Sequence, residues 1–253
     1  MPTPRLVKIQ PITAWSYSRH ETYNNCPLRA KFLYIDKLKE PDSAAGANGT
    51  RVHALAAAYV SRQLPTDKDS RPYLGEIRDM LANNKMPDEL VTFEKEFKQI
   101  RKLNSAAVEQ QWCFDKNWNP VDWFASSAWL RIKVDLHYLV QKKRKGGLRE
   151  TTVYIVDHKT GKEKSEHALQ RSLYALGAFL MYPDAVKVVA THWYLDPGRD
   201  PGESWTRDQL PALKQEWLNR TKAMLSDTTF APRPGDYCRW CVFSKAKGGS
   251  CPY

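Results

Sequence analysis

No run of apolar residues in this 253-residue chain approaches the length needed to cross a bilayer as a helix. No signal-peptide pattern opens it, so a cytoplasmic location without membrane attachment is expected. Acidic residues are scarce: Asp and Glu number 28 against 39 Lys and Arg, leaving a net charge of +11. An excess of that size points to a polyanionic partner, of which nucleic acid is the commonest. Cysteines are few and odd in number (Cys26, Cys113, Cys238, Cys241 and Cys251), which argues against a disulfide framework. No internal repeat and no clean linker is visible. Hydrophobic residues make up 42% of the chain, enough for a substantial core.

In order along the chain, residues 1–15, with Pro2, Pro4 and Pro11, read as an extended arm. Helices are expected from about Ser16 to Asn25 and from Pro27 to about Ile35, the proline suiting a first helical turn. Arg19, Arg29 and Lys31 make this region basic. Pro41 to Asn48 reads as a loop, Gly49 to about Gln63 as an Ala-rich helix carrying His53, and 64–87 as polar with short helical patches. Asp88 to about Asn104 reads as one amphipathic helix. Strands follow at Val108–Phe114, Ser127–Val140 and Thr152–Lys159, the last two joined by a basic hairpin loop, Gln141 to Arg149. Ser165–Met181 has Leu169, Leu173, Leu176 and Leu180 at helical spacing. Val186–Leu195 is a further strand and Thr206 to about Leu225 a final helix. Strands surrounded by helices make an α/β domain, expected as one unit over 1–253: a mainly helical part at 16–107, a core at 108–227 and a cysteine-rich tail at 228–253.

The third strand, Tyr154-Ile155-Val156-Asp157-His158-Lys159, ends at Thr160-Gly161. Side chains alternate along a strand, so Asp157 and Lys159 share a face and His158 points the other way. A surface ion pair would look the same in isolation. Asp135 changes the balance, because it interrupts an apolar strand, among Ile132, Val134 and Leu136, where an unpaired carboxylate is costly. Gln170 and Tyr174, four apart, share a face of the next helix. Two carboxylates on consecutive strands suit a hard cation, Mg²⁺ or Mn²⁺, and a nitrogen ligand from His53 suits Mn²⁺ better. Such an ion offsets phosphoryl charge during phosphodiester hydrolysis, with the lysine orienting or deprotonating the attacking water. Glu109 is balanced between an exposed strand carboxylate and an additional acidic contact.

Gly49-x-x-x-His53, Asp135, Asp157-x-Lys159 and Gln170-x-x-x-Tyr174, in this order and on these elements, resemble the RecB-like branch of the PD-(D/E)xK nuclease superfamily. That branch includes CRISPR-associated and AddB-type nucleases. The resemblance runs from about Ser16 to the C-terminus, with poorly matched insertions between 64 and 107. It implies a central mixed sheet flanked by helices, a restriction-endonuclease-like core. It also implies catalytic roles for Asp135, Asp157, Lys159, Gln170 and Tyr174, with metal held by His53, Asp135, Asp157 and the His158 carbonyl. One departure lies at Trp129-Leu130-Arg131-Ile132, where the family strand often begins with glycine.

Cys238-Arg-Trp-Cys241 is a C-x-x-C knuckle in a Gly- and Pro-rich tail, with Cys251 beyond it and Cys26 far upstream. By ligand type four thiolates suit zinc or iron–sulfur equally. The resemblance implies a [4Fe–4S] cluster tying the chain ends together. Cys113, between Trp112 and Phe114, reads as a core thiol.

The function implied is a metal-dependent DNA exonuclease, end-directed with 5′-to-3′ polarity favoured, serving recombination, repair, phage recombination or CRISPR adaptation. A phage-encoded form would act in the host cytoplasm. The chain carries no helicase motor, so a helicase or a single-strand annealing protein is the expected partner. Two other readings are a non-catalytic iron–sulfur or zinc DNA-binding subunit and a basic zinc-binding interaction module. The first is disfavoured by the intact acids and lysine, and the second leaves the His53–Lys159 series unexplained.

Overall fold

The computed structural model describes residues 9–253 except 42, 144–146, 148, 162–165, 196–197 and 200–201. Trp15 is fully buried. Its N–H donates to the Trp129 carbonyl (2.7 Å) and its carbonyl accepts from Arg131 N–H (2.9 Å). The arm expected from the prolines is therefore pinned into the core at its end.

Ser16 caps α1 (Tyr17–Asn25) through its hydroxyl, which accepts from Arg19 N–H. Pro27 opens α2 (Pro27–Tyr34). The charges of this basic region are largely compensated locally. Arg29 makes a paired contact with Glu40 (3.0 Å twice), Lys31 pairs with Asp36 (2.6 Å), and Arg19 donates to the Ala14 carbonyl.

α3 (Ala44–Ser61) begins five residues before the expected Gly49, because Ser43 accepts a hydrogen bond from Gly46 N–H and caps the helix there. α4 (Leu74–Asn83) occupies the polar stretch. The single helix expected over 88–104 is instead a 3₁₀ turn, Asp88–Phe93, followed by α5 (Glu94–Ile100). Leu90 and Phe93, three apart, both bury, as three residues per turn requires.

The sheet begins with β1 (Ala107–Phe114) and β2 (Leu130–Lys143), paired antiparallel. β2 continues through Gln141–Lys143, read above as loop, because each pairs with a residue of β3 (Arg149–Lys159). Arg144 and Lys145 of the basic stretch lie outside the described residues. α6 (Glu166–Met181) crosses over to β4 (Ala185–Tyr194), which lies parallel to β3. Gly177 lets this helix approach closely: a Cβ there would sit 2.6 Å from Ile132 and 3.2 Å from Trp112. Two short strands, β5 (Gly198–Arg199) and β6 (Glu203–Thr206), pair antiparallel with β4. The turn after β6 is capped by Thr206, and α7 (Leu210–Ser226) follows. The described residues thus form a six-stranded mixed sheet in the order β1-β2-β3-β4-β5, with β6 also on β4.

Hydrophobic cores lie on two sides of this sheet. One gathers Trp15, Tyr23, Ile155, Leu173, Leu176, Phe179 and Trp217 from the sheet, α1, α6 and α7. The other gathers Val52, Leu55, Ile77, Phe97, Leu136, Val156 and Trp193 from the sheet and α3 to α5. β3 shows the alternation plainly, Val153 and Ile155 entering the first core and Val156 the second. Arg207 ties helix to strand by donating to the carbonyls of Phe179 (3.1 Å), Tyr182 (2.5 Å) and Ala185 (2.7 Å). Those bonds supply side-chain donors to carbonyls at and just beyond the C-terminus of α6.

Candidate active site

Three strands bring acids into one row. The β1–β2 register sets Val108 opposite Leu136 and Gln110 opposite Val134, which puts Glu109 across from Asp135. The β2–β3 ladder runs from Lys143 opposite Arg149 to Leu136 opposite Val156. One step further lie Asp135 and Asp157. There the ladder gives out, and His158 N–H donates to Asp135 Oδ2 (2.8 Å) instead of a backbone carbonyl. The carboxylate thus serves as a strand-end partner, which explains how a charge survives in an apolar strand.

His53 reaches this point from α3, its Nδ1 3.4 Å from Asp135 Oδ2. Ligand atoms of His53, Glu109 and Asp135 lie within 4.8 Å of one another, one nitrogen and two oxygens. Burial pulls the His53 imidazole down, but Asp135, Asp157 and Glu109 outweigh it and raise it to about 9. Burial opposes ionisation of Asp135, yet His53, His158 and the backbone bond hold it well below the usual carboxylate range. Glu109 keeps contact with solvent, but the surrounding protein and then the Asp135 charge push its carboxyl up to about 7. Glu109 also adopts a left-handed backbone, φ 49°. A non-glycine residue rarely does so within a strand, and such strain concentrates at functional positions.

Asp157 is held differently. Its Oδ1 accepts from the Tyr174 hydroxyl and from Gln170 Nε2 (3.4 Å), and its Oδ2 lies 2.6 Å from Lys159 Nζ. Lys159 also donates to Gln170 Oε1 (3.0 Å), and Gln170 Nε2 donates to Tyr174 (2.8 Å). Burial, then the charges of Asp157 and Asp135, raise the Tyr174 phenol well above its ordinary value, so it remains a donor. The trio that could hold a cation and the Asp157–Lys159–Gln170–Tyr174 cluster are neighbours across the β2–β3 junction. The His158 side chain faces away, as strand alternation predicts, its ring 5.4 Å from Phe97 and 6.0 Å from Trp193. Burial lowers its imidazole to about 4.

Sequence reasoning missed His192. It lies opposite Asp157 in the parallel β3–β4 register, fully buried, with Nε2 3.8 Å from Asp157 Oδ2 and Nδ1 3.3 Å from Arg171 Nη1. Arg171 in turn pairs with Glu203 (3.1 Å). Local spacing carries no signal for this, because the crossover register decides it. A cleft of about 1250 Å³ opens from the site, lined by Gly46, Gly49, Thr50, His53, Glu109 and Asp135, with the 63–73 segment on its far wall.

Separate from this cleft, Cys26, Cys238, Cys241 and Cys251 line one cavity of about 100 Å³. None is in a disulfide. Arg233 N–H lies 3.5 Å from Cys26 Sγ, and Gly235 N–H 3.4 Å from Cys238 Sγ. Cys113 is buried in the sheet, and burial pushes its thiol up.

The model of the PD-(D/E)XK nuclease superfamily matches residues 14–246, and the chain belongs to that superfamily. Among solved structures it is similar to a candidate exonuclease from Eubacterium rectale: 13% identity, TM-score 0.48, covering 90% of this chain and 88% of that one. A second, SSO0001, shares 14% identity at a TM-score of 0.33, covering 78% of this chain and 94% of its own. No curated protein matches in sequence. The family match, not these distant likenesses, carries the assignment: the chain is a nuclease-superfamily member with a mixed-sheet α/β core. No described helix is long and apolar enough to cross a membrane.

Proposed function

We propose that this chain is a divalent-metal-dependent DNA exonuclease of the RecB-like branch, cutting from an end with 5′-to-3′ polarity. The observation that carries the reading is the row of acids across the β2–β3 junction, closed by Lys159 between Asp157 and Gln170. One nitrogen and two carboxylate oxygens within 4.8 Å fit a hard or borderline cation, Mg²⁺ or Mn²⁺. Asp157 and the His158 carbonyl are the further candidate ligands. Such an ion, when bound, supplies Lewis-acid stabilisation of phosphoryl charge.

The chain's own residues set up the rest. Tyr174 and Gln170 fix the Asp157 carboxylate, leaving its Oδ2 beside Lys159. Lys159, its side chain 22% exposed, keeps a donor for a water or a phosphate oxygen. It would orient the attacking water and offset charge as the bond to the leaving oxygen breaks. Cys26 and the three tail thiols, with two backbone N–H groups directed at sulfur, fit a [4Fe–4S] cluster or zinc. That group would staple residues near the two ends of a single nuclease unit. We further propose action in the cytoplasm on DNA ends in recombination or repair, with a helicase or single-strand annealing protein as partner.

The test is degradation of linear DNA, singly labelled at either end, with Mg²⁺ or Mn²⁺. Wild type should shorten it from one end, and Asp157→Ala and Lys159→Ala should not. Equal degradation by the variants overturns the site. Iron and zinc analysis of the purified protein separates the two tail metals.

A further inference from the structure

Among the described residues four aromatic side chains are largely exposed, and three of them, Tyr237, Trp240 and Tyr253, belong to the tail. Trp240 is 73% exposed and the two tyrosines 54% each. A chain that buries most of its rings does not leave three together without a cost in unburied apolar surface. They line the rim of one cavity, the same whose wall carries the thiols and whose floor includes Phe32 and Phe243. Residues 232–253 hold Arg233, Arg239, Lys245 and Lys247 against a single acid, Asp236. Arg239, Lys245 and Lys247 make no ion pair among the described residues. The Arg239 guanidinium lies 5.6 Å from the centre of the Trp240 ring, adding charge beside the stacking surface.

We infer that the rim formed by Tyr237, Trp240 and Tyr253 is a second DNA-binding surface, separate from the catalytic cleft, which takes unpaired bases by stacking. Rings supply faces for bases, and the cations beside them supply contacts to phosphate. Single strands are favoured over duplex because only unstacked bases have a face to offer. An apolar protein partner would leave the unpaired cations unexplained. A duplex would use the cations and leave the rings idle. The inference rests on the nuclease reading only for the choice of DNA as polyanion.

The experiment is fluorescence anisotropy of a labelled single-stranded oligonucleotide and a blunt duplex of equal length. The full chain is used with its native metal content, in chelator-free buffer lacking added divalent cations. Trp240→Ala should weaken single-strand binding about tenfold, as loss of one stacked base does. Trp240→Phe should restore most of it, and duplex binding should change little. Trp240 lies inside the cysteine knuckle, so Tyr237→Ala/Tyr253→Ala provides a second variant. Iron and zinc content and circular dichroism must match wild type in every variant compared. Unchanged single-strand affinity in the double variant, or equal losses on both substrates, overturns the inference. Intact single-strand binding by a wild-type protein that fails to cut DNA would count against the nuclease reading alone.

Discussion

Lys159 stands between a carboxylate and an amide oxygen, and neither contact is needed for the strand that carries it. Lys159→Ala should lower cleavage by about 10²–10⁴-fold, the usual worth of a positioned proton-handling group, and should lower the thermal midpoint as well, because it leaves the buried Asp157 carboxylate without its cation. Labelled-DNA degradation and thermal unfolding on the same preparation check both halves. Tyr174→Phe removes a neutral donor from the same carboxylate. The hydroxyl is buried and donates to a buried carboxylate, so its loss should cost about 1–3 kcal/mol of stability as well as activity. Denaturant unfolding reads that cost. Asp157, Lys159, Gln170 and Tyr174 were legible in the sequence because strand and helix periodicity fix their faces over short distances. Glu109 was harder: its left-handed backbone and its position across from Asp135 come from pairing between distant strands. His192 was harder still, since it meets Asp157 only through a parallel register set by a crossover.

At the scale of elements, strand β3 and helix α6 could be read within a few residues from alternation and from leucine spacing. The boundaries that differed have local causes. α3 starts at a serine cap within a stretch that looked like loop, and β2 extends because its lysines find partners on β3. The tail offers a sharper case in two adjacent glycines. Gly248 has φ 72° with open space around its Cβ position, so Gly248→Ala should cost only about 1 kcal/mol of left-handed strain. A Cβ at Gly249 would fall 2.2–2.4 Å from the Phe243 backbone, which cannot swing aside. Gly249→Ala should therefore displace the segment that carries Cys251 and, on the proposal that the four thiols hold a metal, lower the metal content per chain, while Gly248→Ala retains it. Metal analysis of the two purified variants distinguishes them.

For the molecule as a whole, histidines that burial keeps neutral contribute to loss of stability in acid. His20 and His137 are 2% exposed, and burial, aided at His20 by Arg220, lowers both from 6.5 to about 4. A folded-state value below the unfolded one means that the unfolded chain takes up the proton first. Stability is then full above pH 6.5 and lost as pH falls toward 4, on the order of 3 kcal/mol for each histidine. Urea midpoints at pH 7 and 4.5 should differ accordingly. His137→Gln should flatten the slope whatever it does to the midpoint at pH 7, and an unchanged slope would show that other groups govern it.

The two ends of the chain are clasped directly: Tyr23 donates to Asp227 (2.8 Å), Arg233 donates to the Asn24 carbonyl, and Phe32 packs on Phe243 at 5.2 Å. Helices α1 and α2 leave the ribosome well before these partners do. Tyr23 and Asp227 are 204 residues apart. At about 5–20 residues per second, the first helices wait roughly 10–40 s for the groups that hold them. The clasp cannot close before residues 227–243 have emerged, so the nascent chain spends that interval with it open.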